Sequence, residues 1–270
     1  MRCFEKFAKQ TAGGLSETVT AVRFTSSRYD GGAVSMHAFV SALQSLRFEN
    51  CFNPYSDRCP DCDRADAPMR RASVLSRILQ AVESEGVDAI WVGRDLGYRG
   101  GRRTGLALTD DVHIGRHAAR WGLAEERFTL GEAIAERTAA VIWSVLDRID
   151  TRLFLWNVFP LHPHDNGKPF SNRPHNGKER QVGESALEQL IALARPRRIV
   201  AIGADAAAAA SRVAADVPVF GVRHPSYGGQ TQFLRQISDL YGLPPAKTGR
   251  MASDSQHRPE QQRLELEFTL

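Results

Sequence analysis

The chain is poor in lysine: of 35 basic residues only Lys6, Lys9, Lys168, Lys178 and Lys247 are lysines, the rest being arginines. That bias suits planar, bidentate phosphate recognition, and the base composition of a genome would produce it equally well. Cysteine is scarce as well. The four, Cys3, Cys51, Cys59 and Cys62, lie in the first quarter of the chain, which excludes a disulfide framework across the fold. Cys59 and Cys62 form a CxxC, with Cys51 upstream and His37 or Cys3 as a fourth zinc ligand, but no second spaced pair completes a zinc motif. Free thiols and no cofactor are expected. No apolar run approaches the roughly 18 residues of a membrane span, and Met1 to Gly14 has no apolar signal core. The expectation is a cytoplasmic monomer without membrane contact.

A length of 270 residues with 42% hydrophobic content suffices for one full core. The net charge of +4 permits a nucleic-acid partner without requiring one. Met36, Phe39, Val40 and Leu43 keep a helical period behind a Ser35 cap, predicting a helix to Phe48. Leu75, Ile78, Leu79 and Val82 predict a second, closing at Gly86. Further helices are expected from Thr109 or Asp110 to Gly122, and over 131–149, 184–194, 206–210 and 231–241. Strands are expected over 88–93, 152–159, 198–203 and 217–222. This alternation predicts a three-layer α/β/α sandwich around a central, mostly parallel four-stranded sheet. The expected organisation is an extension over 1–34, the α/β domain over 35–245 and a flexible, polar tail over 246–270.

Three polar side chains stand at outgoing strand ends, where ligands of open α/β sheets bind. Asp95 lies in Gly93-Arg94-Asp95-Leu96-Gly97, Asn157 ends Leu153-Phe154-Leu155-Trp156-Asn157, and His224 opens His224-Pro225-Ser226. Breaking a bond between a sugar and a nucleobase builds cationic character on the sugar and an anion on the base. A carboxylate beside the sugar and a fixed donor facing the base oxygen both favour that step, roles that suit Asp95 and His224. The Asn157 amide offers a donor and an acceptor together, matching the O4 and N3–H edge of uracil.

These motifs resemble those of the uracil-DNA glycosylase superfamily. Gly93, Asp95 and Gly97 combine its Gly-Gln-Asp-Pro-Tyr and Gly-Glu-Ala-Pro-Gly versions, and His224-Pro225-Ser226 matches its His-Pro-Ser motif. The resemblance implies a cofactor-free, monofunctional glycosylase acting in base excision repair. Asp95 and His224 would be catalytic, with Asn157, Gly93, Arg94, Gly97 and Leu108 around the base and Ser226 on a phosphate. Leu108 stands where the family stacks an aromatic, and Gly97 replaces the tyrosine that bars the thymine methyl. No cysteine follows Cys62, so the iron–sulfur cluster of one branch is not expected.

Arg99, Arg102 and Arg103 among glycines, Lys168 and Arg173 in a second loop, and Arg223 beside the histidine motif are candidate DNA contacts. Tyr227 is placed to fill the space left by a flipped base. His162, His164 and His175 read as loop residues meeting phosphate or water. The weaker, looser pattern of Gln261, Gln262, Leu264, Leu266 and Phe268 resembles sliding-clamp peptides, or else forms an edge strand on its own domain. The rival readings are a uracil- or abasic-site-binding protein with little turnover and a nucleoside hydrolase.

Overall fold

The computed structural model describes residues 36–244. The 1–34 extension, Cys3, Ser35 and the clamp-like tail lie outside the described residues. Within them the element order is β1 (Cys51–Phe52), β2 (Ala89–Asp95), β3 (Leu153–Phe159), β4 (His162–Pro163), β5 (Arg198–Ile202) and β6 (Val219–Val222). The helices are α1 (Ala38–Ser45), α2 (Ala67–Glu85), α3 (Gly101–Thr104), α4 (Ile114–Ala119), α5 (Arg137–Leu146), α6 (Gly177–Ala194), α7 (Ala204–Val213) and α8 (Gln230–Tyr241).

Four strands form the expected parallel sheet in the order β3-β2-β5-β6. β2 and β3 are almost wholly buried, as befits strands covered on both faces. Ile90, Val92, Phe154 and Trp156 pack into the core shared with α1, α2, α6 and α7. The alternate residues Ala89, Trp91, Leu153 and Leu155 pack into a second core with α5 and α8. The period-2 alternation of strand side chains thus divides the apolar runs between two layers. Register sets Gly93 opposite Asn157, bringing two sequence motifs together.

Several element boundaries differ from the expected ones, each for a local reason. α1 starts at Ala38 because His37 Nδ1 accepts the Phe39 N–H at 3.1 Å. α5 starts at Arg137 rather than near Gly131, since Asp111 and Asp110 take up the N–H groups of Ile134 and Glu136. α6 begins seven residues before Glu184, at Gly177, where Asn176 and Glu179 form a capping box. Its first turn, Gly177-Lys178-Glu179-Arg180, carries no apolar period from which to read a helix. The two-residue antiparallel pair of β1 and β4 was also not expected. Gly183 brings α6 onto β3, for a Cβ there would collide with the Val158 carbonyl oxygen.

Candidate active site

The outgoing ends of β2, β3 and β6 meet at one edge of the sheet. Asn157, on β3, is only 1% exposed, yet neither its amide nitrogen nor its amide oxygen has a hydrogen-bond partner. Such orphaned groups are rare in folded proteins because each costs free energy. Opposite it, Gly93 is required: a Cβ would overlap the Asn157 Oδ1 and stand 3.0 Å from Leu108 Cδ2. Leu108 itself adopts a left-handed backbone, φ 55°. Asn157 and Leu108 therefore both lean on the bare backbone of Gly93.

Asp95 closes β2 with its side chain 8% exposed. Its Oδ2 accepts from Arg94 Nε at 2.7 Å, and its Oδ1 is hydrogen-bonded to His175 Nδ1 at 2.5 Å. A carboxylate only accepts, so in this pair the hydrogen resides on Nδ1. Arg94 also reaches Asp205 Oδ2 at 3.0 Å. His175 is thus a carboxylate partner at the site, not the phosphate- or water-contacting loop residue expected from sequence. Asp95 and His175 are separated by 80 positions, so no local spacing could have paired them.

Arg173 fixes the loop that carries His175. Its guanidinium donates to both Glu179 oxygens, at 2.8 and 2.7 Å, and to the His164 carbonyl at 3.0 Å. The fork expected on a phosphate is thus also engaged within the chain, at the rim of the cavity. Arg103 is likewise committed, 5% exposed and paired with Asp111 at 2.6 Å. Arg102 is 4% exposed and lies between the rings of Phe52 and Phe170, 4.0 and 4.8 Å from their centroids. Both are structural rather than presented to DNA phosphates. Lys168, Arg99 and Arg223 remain exposed, with Arg99 Nε donating to the Tyr98 hydroxyl at 2.9 Å.

His224 follows β6. The Ser226 N–H lies 3.2 Å from His224 Nδ1, and the Ser226 Oγ lies 2.8 Å from it. A backbone N–H can only donate, so Nδ1 is the acceptor and the neutral ring carries its hydrogen on Nε2. Burial lowers the His224 pKa, and the neighbouring Arg94 and Arg223 charges lower it further. Ser226, expected on a phosphate, turns its hydroxyl onto this ring instead. Tyr227 projects from the same loop, 97% exposed with φ 49°.

A cavity of about 530 Å³ opens beside Asp95 and His224, lined also by Gly97, Glu136 and Tyr227; Asn157, Gly93 and Leu108 are not among its lining residues. Burial pushes the Glu136 carboxyl up to about 7; the nearby Asp110 adds to the rise and Arg99 opposes it. No three metal-binding side chains converge among the described residues. Cys59 and Cys62 hydrogen-bond to each other, while burial raises the Cys51 thiol far above its ordinary range.

The sequence profile described as the uracil DNA glycosylase superfamily matches residues 84–239. Among solved structures, that of wild-type Pedobacter heparinus SMUG2 is similar at 14% identity, covering 76% of this chain and 95% of that one, with a TM-score of 0.48. No curated protein matches the chain.

Proposed function

The chain belongs to the uracil DNA glycosylase superfamily, and from that premise we propose that it excises uracil from DNA by hydrolysing its N-glycosidic bond, opening base excision repair. The observation that carries this reading is the unpaired, buried Asn157 amide beside Gly93. A flipped uracil supplies what that amide lacks: its O4 accepts from the amide nitrogen, and its N3–H donates to the amide oxygen. Leu108 packs on the face of the base.

As the glycosidic bond lengthens, charge develops on uracil O2 and on the sugar. His224 Nε2–H donates to O2, and because the ring is neutral the proton stays on it while the base leaves as an anion. Asp95 faces the cationic sugar and orients the attacking water. His175 holds Asp95 Oδ1 in place. Tyr227 fills the gap in the duplex, and Arg99, Arg223 and Lys168 meet the backbone.

A second reading rests on one observation: Leu108 cannot stack as an aromatic would, which favours a uracil-binding protein with little turnover. Oligonucleotides bearing uracil, hypoxanthine, xanthine or 5-substituted uracils, followed by alkaline scission, decide between the two. Multiple turnover on uracil supports the enzyme; stoichiometric binding without base release supports the binder. Asp95→Asn should lower single-turnover excision by roughly 100- to 10,000-fold with little loss of DNA affinity. Near-wild-type excision by that variant would remove Asp95 from the mechanism.

A further inference from the structure

The mechanism leaves one exposed aromatic ring near the cavity unused. Phe170, 42% exposed, sits at the tip of a turn that follows β4. Asp165 and Lys168 pair antiparallel across that turn, the Lys168 N–H donating to the Asp165 carbonyl at 3.0 Å, and Gly167 takes φ 69° between them. Ser171 closes it: its Oγ accepts from the Asp165 N–H and donates to the Lys168 carbonyl, both at 2.9 Å. The Ser171 carbonyl in turn accepts from Nε2 of the buried His162 at 2.8 Å. The turn is therefore braced from within, and Lys168, Pro169 and Phe170 are left exposed at its tip.

The ring is held as well as exposed. The Arg102 guanidinium lies 4.8 Å from its centroid and 4.0 Å from that of Phe52, buried between the two rings. Next along the chain, Asn172 and Arg173 line the cavity, and Asn172 Oδ1 accepts the Tyr98 N–H at 3.0 Å. β3 and β6 are the two edges of the parallel sheet. The loop that carries Phe170 follows the first and the Tyr227 loop follows the second, so the cavity lies between them. Resting on the glycosylase reading, we propose that Phe170 is a stacking platform for single-stranded DNA, taking an unpaired base beside the uracil in the strand while Lys168 meets the adjacent phosphate. Every base has a π-face, so the contact is tolerant of sequence, as a damage-directed enzyme requires. A ring already fixed by Arg102 and a braced turn loses little freedom on binding. In a duplex the faces of each base are covered by its neighbours, so the ring gains nothing there.

The test measures the affinity of the wild type, Phe170→Leu and Phe170→Trp for single-stranded and duplex oligonucleotides carrying a non-cleavable, 2′-fluorinated deoxyuridine. In the single strand, 2-aminopurine is placed on each side of that nucleotide in turn. Phe170→Leu, which keeps an apolar cover over Arg102, should weaken single-strand binding about tenfold, the worth of one stacked base, and leave duplex binding unchanged. Phe170→Trp, which keeps an aromatic face, should retain the single-strand affinity. The wild type and Phe170→Trp should quench 2-aminopurine at one of the two positions, and Phe170→Leu should not. Equal weakening on single strand and duplex overturns the proposal, as does single-strand affinity and quenching that survive in Phe170→Leu. Either result, with uracil still released from a cleavable strand, leaves the glycosylase reading standing. A wild type that binds the single strand but releases no uracil overturns that reading instead.

Discussion

Replacing Asn157 by leucine should make the protein more stable and less able to excise uracil. The side chain is 1% exposed, and both of its polar atoms lack partners. Leucine has the same branching at Cγ, and the bare Gly93 backbone opposite leaves room for it. Removing an unsatisfied buried polar group is worth about 1–3 kcal/mol. For a domain of this size each kcal/mol moves the melting temperature by about 2–4 °C. Thermal unfolding of Asn157→Leu should therefore show a rise of several degrees. If the amide carries the reading of the N3–O4 edge as proposed, excision of uracil should fall by about 100-fold or more, as two lost hydrogen bonds predict. An unchanged or lower melting temperature would show that the amide is already satisfied in the free protein, for example by enclosed water. Undiminished uracil excision would show that Asn157 does not read the base.

Two further outcomes follow from the ionisable groups. If His175 positions Asp95, His175→Ala should lower kcat roughly 100-fold with KM nearly unchanged, while His175→Asn, whose amide N–H takes the place of Nδ1–H, should restore most of the rate; equal losses in both variants would refute a positioning role. Burial pushes His117 and His162 down to about 3, so between pH 6.5 and 3 the unfolded chain binds protons that the folded one refuses, and stability falls as pH falls through that window. Glu136, raised to about 7, has the opposite sign and loses stability as pH rises from its ordinary value toward 7. Urea unfolding should therefore show Glu136→Gln gaining stability over the wild type at pH 8 but not at pH 5, and an equal difference at both pH values would contradict this.

The strands were legible because each is a short apolar run ended by glycine or a polar residue, and the alternation of helix and strand defined the layers. Asp95 was legible because it ends its run, Asn157 because it is the polar residue in an otherwise apolar strand, and His224 because it heads the His-Pro-Ser motif after the last one. What escaped the sequence was non-local. The Asp95–His175 bond joins a strand end to a loop, and no periodicity encodes it. The inward turn of Arg102, Arg103 and Arg173 escaped for a related reason: an arginine reads as solvent-facing until its partner, Asp111, Glu179 or a pair of phenylalanine rings, is known. The early start of α6 rests on a cap, which hydrophobic spacing does not register.

Those inward arginines also govern how the protein meets a long duplex. Each phosphate neutralised releases condensed counterions, and the affinity falls with the logarithm of salt by about 0.9 per contact. With Arg102 and Arg103 buried and Arg173 paired with Glu179, Arg99, Arg223 and Lys168 are exposed cations near the site, where Arg94 is exposed as well but paired with Asp95 and Asp205. If Arg99, Arg223 and Lys168 carry the proposed phosphate contacts, the salt dependence should be shallow, with a slope of about −3 on logarithmic axes. A glycosylase with so few contacts would hold undamaged DNA only briefly and survey a genome through many short visits, with residence time supplied by the pocket when a base fits it.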